Sequence, residues 1–209
     1  DADQQLDIPQ TALQSYNQLA WFDGVADFVS IADHNDFTFG DGSNDSAFSI
    51  SAWVNMNDAT NFPIISKDTA SHREYNLKTG SDDKLYFYVV DDSASEAYRG
   101  RLYNTALTSR ENEWIHIVAT YGGDESDPMA DISIYINGAV VDDTNYTSGS
   151  YTAMENLDGV LSIGSKLQNG QYSNGCITEA SIWGTELSLA EVQELYNDGK
   201  ALDATTHSE

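Results

Sequence analysis

The stretch Gly175-Cys176-Ile177-Thr178-Glu179-Ala180-Ser181-Ile182-Trp183-Gly184-Thr185-Glu186-Leu187-Ser188-Leu189-Ala190-Glu191-Val192-Gln193-Glu194-Leu195-Tyr196 joins an extended run to a capped helix. Read with strict alternation, residues 176–183 put Cys176, Thr178, Ala180 and Ile182 on one face and Ile177, Glu179, Ser181 and Trp183 on the other. Then the period changes. Ser188 followed three residues later by Glu191 is a capping box, in which each side chain satisfies a backbone N–H at a helix start. Leu189, Val192 and either Leu195 or Tyr196 form one apolar stripe, and Asn197-Asp198-Gly199 supplies a stop. A strand therefore feeds a short helix docked by one face.

Outward from this stretch, short β runs alternate with clusters of Asn, Asp, Gly and Ser at residues 39–46, 90–96, 122–127, 142–150 and 168–175, the spacing of a two-sheet sandwich. Leu85-Tyr86-Phe87-Tyr88-Val89-Val90 and Ile132-Ser133-Ile134-Tyr135-Ile136 are the clearest strands, the second with Ile132, Ile134 and Ile136 on its core face. Asn137-Gly138 after it marks a two-residue hairpin, since both turn positions need positive φ. The expected division is a polar leader or linker at 1–18, one β-sandwich at 19–199 and a tail at 200–209.

Several segments, taken in order, resemble the laminin-G-like and concanavalin A-like jelly-roll superfamily, especially its bacterial and viral branch, with pentraxins as more distant relatives. Phe22-Asp23-Gly24-Val25-Ala26-Asp27-Phe28-Val29 is similar to the family's FDGxDDYV opening, and Phe48-Ser49-Ile50-Ser51-Ala52-Trp53-Val54 to FTISAWV. Ile64-Ile65-Ser66-Lys67 is similar to ILSK, Trp114-Ile115-His116-Ile117-Val118-Ala119-Thr120-Tyr121 to WxHVAxTY, and Ile134-Tyr135-Ile136-Asn137-Gly138 to LYVNG. The stretch at 175–196 corresponds to the closing G-x-IDEVRIYN, with Thr178 where Asp is common and Glu179 retained. The resemblance implies an all-β, two-sheet antiparallel jelly roll with one short C-terminal helix. It also implies that Trp21, Trp53, Trp114 and Trp183 pack mainly in the core and that His116 is structural.

At 209 residues the chain suits one large all-β domain, a class in which about 200 to 250 residues commonly fold as one unit. With 9 Lys plus Arg against 34 Asp plus Glu, the formal charge of −25 opposes binding to phosphate backbones or anionic lipid, so nucleic acid is not an expected partner. No apolar run approaches the roughly 20 residues of a membrane-spanning helix, so no membrane insertion is expected. The single Cys176 has no intrachain disulfide partner and reads as a small buried hydrophobe. The chain begins at Asp1, as a processed protein or a segment of a longer one would.

Calcium takes six to eight hard oxygen ligands and tolerates irregular loop geometry. The resemblance implies a structural calcium ion held by Asp23 and Glu179, with Asp27 as a third ligand, because first and last strands lie close in this sandwich type. The carboxylates at Asp124, Glu125, Asp127 and Asp131 lack the Gly and terminal Glu of an EF-hand and read as a solvated hairpin loop. The pairs Asp82-Asp83 and Asp91-Asp92 bracket a strand and are expected at one end of the sandwich.

Tyr98, Arg99, Arg101 and Tyr103, beside Tyr86 and Tyr88, form an aromatic and basic concentration in an acidic chain. Aromatic faces suit the apolar side of a sugar and Arg suits carboxylates or sulfates. The alternative is that the tyrosines cover a half-buried sheet face while the arginines neutralise nearby carboxylates. Hydrolysis is not expected: the ExDxxE arrangement that puts alternate carboxylates into one cleft is absent, as are G-x-S-x-G and H-E-x-x-H. The expected function is a non-catalytic binding or adhesion module for glycans at the cell surface, virion surface or outside the cell. Its rival is a virion or surface structural protein that contacts neighbouring subunits.

Overall fold

The computed structural model describes residues 19–94, 97–124, 126–127, 129–167 and 170–200. The expected leader at 1–18 and all but Lys200 of the expected tail lie outside the described residues. The described residues form fifteen strands: β1 (Ala20–Asp23), β2 (Val29–Ile31), β3 (Phe48–Asp58), β4 (Pro63–Asp68), β5 (Arg73–Thr79), β6 (Leu85–Asp91), β7 (Ala97–Tyr103), β8 (Trp114–Tyr121), β9 (Ile132–Ile136), β10 (Ala139–Val140), β11 (Thr144–Ser148), β12 (Leu161–Ile163), β13 (Ser165–Lys166), β14 (Gln171–Tyr172) and β15 (Asn174–Trp183). A helix, α1 (Leu189–Tyr196), follows β15. One sheet has the order β1-β15-β3-β8-β9-β10, the other β11-β7-β6-β5-β4-β12-β2, and β13 pairs with β14 alone. Every pairing is antiparallel. This is the two-sheet sandwich expected from the motif order.

Alternation along the long strands builds the core. Phe48, Ile50, Ala52, Val54 and Met56 of β3 are buried within it, facing Leu85, Phe87 and Val89 of β6 from the other sheet. At its centre the Phe48 ring stacks on Phe39 at 4.2 Å and meets Tyr75, Phe87 and Tyr121 at 5.0, 5.8 and 6.0 Å. Asn137 and Gly138 turn from β9 to β10 with φ of 51° and 75°, and Ile132, Ile134 and Ile136 are buried.

The closing stretch departs from strict alternation. Thr178 pairs with Trp53 and Ser181 with Ser51, so Glu179 and Ala180 together oppose the single Ala52. Glu179 takes φ of 49° at this bulge. The extra residue resets the pleat, and both Ile177 and Ile182, one odd and one even, pack on the core. Cys176 pairs with Asn55 on the outer face and is half-buried, not a core residue. Residues 144–148, expected within a loop, form β11 because Thr144, Asn145, Tyr146, Thr147 and Ser148 complete a ladder with β7.

The helix covers the outer face of the six-stranded sheet. Ser188 accepts from Glu191 N–H while the Glu191 carboxylate accepts from Ser188 N–H, and Asn197 ends the helix at φ of 46°. Leu187, Val192 and Leu195 cluster with Val118 and Tyr135, whereas Leu189 is 47 % exposed, so the stripe begins before the helix. Trp53 is buried on this face, its ring 5.2 Å from His116 and 5.9 Å from Tyr196. Burial holds the His116 imidazole neutral, with its pKa down at about 3. Trp21, expected in the core, is 46 % exposed on edge strand β1. The pairs Asp82-Asp83 and Asp91-Asp92 stand at opposite ends of the seven-residue β6, not at one end of the sandwich.

Candidate ligand groove

The seven-stranded sheet carries no helix on its outer face among the described residues. Because Leu85, Phe87 and Val89 point inward, Tyr86, Tyr88 and Val90 point outward. Register then sets a row across the sheet: Ser66 beside Asn76, Asn76 beside Tyr88, Tyr88 beside Gly100, and Gly100 beside Tyr146. The rows to either side bring Lys78, Tyr86 and Leu102 together, and Val90 with Tyr98. Tyr146 is the hub, its ring centroid 4.6, 4.8 and 5.3 Å from those of Tyr98, Tyr86 and Tyr88. Burial raises the Tyr86 and Tyr88 phenols, Tyr86 to about 12, so both stay neutral hydrogen-bonding groups near neutral pH.

The β13–β14 hairpin flanks these rings and completes a groove of about 420 Å³ lined by Lys78, Asp82, Tyr86, Tyr88, Tyr146 and Lys166. A smaller compartment of about 120 Å³ continues it past Tyr98 to Asp68 and Arg73. Lys78 Nζ donates to Gln171 Oε1 at 2.8 Å, and Gln171 Nε2 donates to Asn61 Oδ1 at 2.9 Å. Burial, then the nearby Lys166 charge, pulls the Lys78 pKa down to about 8. Lys166 Nζ lies 6.0 Å from the Tyr88 ring centroid and 3.3 Å from Asp68 Oδ2. Asp68 Oδ2 also accepts from Asn76 Nδ2 at 2.6 Å, while burial raises its carboxyl above the ordinary value. Asp68 Oδ1 and Asn76 Oδ1 are buried acceptors with no hydrogen-bond donor among the described residues. At the other end, desolvation would raise Asp82, but hydrogen bonds from Tyr86 and Lys84 hold it below its ordinary value.

The pleat separates the four residues expected to form a ligand patch. Tyr98 joins the outer tyrosines. Arg99, Arg101 and Tyr103 pair with Val89, Phe87 and Leu85 and so share the inward side of the sheet edge. Arg101 Nε donates to Asp142 Oδ2 at 2.9 Å, and Arg99 donates to the carbonyls of Ser148 and Gly149 at 3.0 and 2.9 Å. The arginines thus tie β7 to β11 and its flanking turns. Lys78, Lys166 and Tyr146 were not legible as site residues. Cross-strand register brings Lys78 and Tyr146 beside Tyr86 and Tyr88, and the β13–β14 hairpin adds Lys166; the alternation of the two tyrosines with Leu85, Phe87 and Val89 was the available signal.

The carboxylates expected to share calcium do not converge. Asp23 pairs with Asn174, and Glu179 lies five positions further along β15, roughly 16 Å away at about 3.3 Å per residue. Asp23 Oδ1 accepts from Val25 and Ala26 N–H at 2.8 and 3.3 Å, which caps the Asp-Gly turn, and Asp27 is exposed in the following loop. Among the described residues no three His, Cys, Asp or Glu side chains gather where they could hold a metal. The residues present do not fit the ion.

Residues 23–193 match the laminin G family profile described as the concanavalin A-like lectin/glucanases superfamily. The chain belongs to that superfamily. No curated protein matches it in sequence. Among solved structures similar to this superfamily member, the binding domain of botulinum neurotoxin serotype G is 14% identical, with a TM-score of 0.57 over 87% of this chain and 45% of that one. The binding domain of Paraclostridial mosquitocidal protein 1 is also 14% identical, with a TM-score of 0.56 over 87% and 47%. A Bacteroides ovatus protein assigned to carbohydrate binding is 16% identical, with a TM-score of 0.52 over 83% and 46%. The chain spans less than half the length of each of these proteins. At such identities the likeness is one of fold.

Proposed function

We propose that this protein is a non-catalytic binding module of secreted or surface location that recognises glycans through the outer face of its seven-stranded sheet. The observation that carries the reading is the groove of about 420 Å³ in which three tyrosine rings meet two lysines. Tyrosines offer flat apolar area with hydroxyl tips, and the surrounding amides and carboxylates match sugar hydroxyls. The similar solved structures support it, since two are named binding domains and one is assigned to carbohydrate binding. The superfamily name also covers glucanases. Here, however, the two groove carboxylates line different compartments, Asp82 tied to Tyr86 and Lys84, and Asp68 to Lys166 and Asn76. Two-carboxylate hydrolysis needs both groups in one cleft flanking the same glycosidic bond, about 5 to 9.5 Å apart.

A glycan array followed by calorimetry tests this function. Tyr146→Ala is expected to weaken binding at least tenfold without unfolding the sandwich. An affinity unchanged in that variant places the ligand elsewhere and sinks the proposal.

A second reading, assembly with neighbouring copies, draws on the exposed apolar residues Trp21, Val25, Phe28 and Val29 around β1 and β2. Sedimentation of the wild type and of Trp21→Ser, Val25→Ser distinguishes them: a concentration-dependent multimer lost in the variant supports assembly, and a monomer in both removes it.

A further inference from the structure

We infer, resting on the proposed glycan groove, that its saccharide is acidic and that Lys78 and Lys166 hold its carboxylate or sulfate beside the half-buried rings of Tyr86 and Tyr146. The chain has 9 Lys and Arg against 34 Asp and Glu, so its overall field repels anions. An anion can be held only where cations are concentrated locally and partly out of water. Lys78 on β5 and Lys166 on β13 come from distant parts of the sequence and converge on one groove.

Their partners leave charge to spare. Lys78, held by the neutral amide of Gln171, has no carboxylate within ion-pair distance among the described residues. A half-buried ammonium without a counter-ion pays a desolvation cost that an arriving anion removes. Lys166 has Asp68 on one flank at 3.3 Å and the Tyr88 ring on another, 6.0 Å from the centroid. The other charged groups facing the groove set the ligand's polarity. Asp82, which accepts from the Tyr86 hydroxyl and meets Lys84 at 3.4 Å, repels an anion on that side of the ring and accepts sugar hydroxyls. Arg73, in the smaller compartment, is engaged with Asp92 at 3.6 Å. The charged substituent therefore belongs between Lys78 and Lys166, with uncharged ring hydroxyls toward Asp82.

The Lys78 ammonium, lowered to about 8 by burial and by Lys166, gives a pH signature. Below pH 8 it is charged and binds; as pH rises through 8 it loses its proton and the acidic ligand dissociates. A neutral sugar has no such dependence on Lys78.

The test is an array of common backbones in neutral, sulfated and uronate forms, followed by calorimetry at pH 6.5 and 9.5. The expected result is at least tenfold preference for acidic forms, lost on raising pH and reduced at least tenfold by Lys78→Gln or Lys166→Gln. Arg110→Gln, away from the groove, should change affinity less than twofold. If Lys78→Gln does not fold, the wild-type pH profile still decides. Equal binding of neutral forms, sensitive to Tyr146→Ala, overturns the acidic inference and leaves the glycan function standing; binding of no saccharide overturns both.

Discussion

Tyr88 and Tyr146 sit on strands separated by β7, yet their ring centroids are 5.3 Å apart. Strands two places apart in a sheet lie roughly 9.5 Å from each other, so the rings must lean across the intervening strand. Gly100 lies between them and leaves the space they use. A Cβ there would stand 2.3 Å from the Phe87 carbonyl oxygen and 2.4 Å from Tyr88 Cβ. Gly100→Ala is therefore expected to cost about 1–3 kcal/mol by overpacking and to reduce near-UV dichroism from the tyrosines. Urea denaturation alongside the near-UV spectrum checks both effects, and a variant as stable as wild type with an unchanged spectrum contradicts the packing described.

The capping box gives a smaller, local effect. Ser188→Ala removes the hydroxyl that accepts from Glu191 N–H and is expected to lower stability by about 1 kcal/mol. The midpoint of denaturation should shift without a change in slope. Val192→Ala, at the buried centre of the helix face, should cost more than the cap.

Lys67 and Glu74 form an ion pair with neither side chain exposed, and Lys67 also meets Asp33 at 2.9 Å and the Leu157 carbonyl at 2.8 Å. Above pH 7, removing Lys67 leaves the Glu74 carboxylate buried without its counter-ion, so Lys67→Met is there expected to destabilise by about 3–5 kcal/mol. Burial raises the Glu74 carboxyl to about 7 against the opposing pull of Lys67, from an ordinary value of 4.5. Between those pH values folded Glu74 retains a proton that the unfolded chain has lost. Its contribution to stability is present below pH 4.5 and is lost as pH rises through 7. Denaturation at pH 4.5 and 7.5 should show that loss in wild type and a smaller one in Glu74→Gln; identical slopes in the two proteins refute the assignment.

Calcium is expected to behave as any divalent cation would toward a chain of charge −25. At matched ionic strength, calcium and magnesium should raise the melting temperature equally, and Asp23→Asn should not change the comparison. A rise specific to calcium and abolished by Asp23→Asn would show that the carboxylates at the opening motif bind the ion after all.

The fold was readable because its signals are local. The Ser188 and Glu191 box, the Asn137-Gly138 turn and the spacing of Ile132, Ile134 and Ile136 each depend on residues a few places apart. What escaped depends on pairings that sequence distance conceals. The bulge at Glu179 displaced a one-step alternation, so Cys176 left the core and Ile177 entered it. The Tyr98 to Tyr103 segment held the right residue types, but neighbours in a strand face opposite ways, and its arginines serve β11 instead of the groove. Lys78, Tyr146 and Lys166 share no motif; three different strands bring them together.

The lateral strands of both large sheets are short: β1 has four residues and β10 two, while β2 has three and β11 five. Unpaired backbone of that length offers a poor template for another chain to extend the sheet. The module can therefore be crowded on a surface or repeated along a fibre without its copies fusing into a continuous β ribbon through these strands.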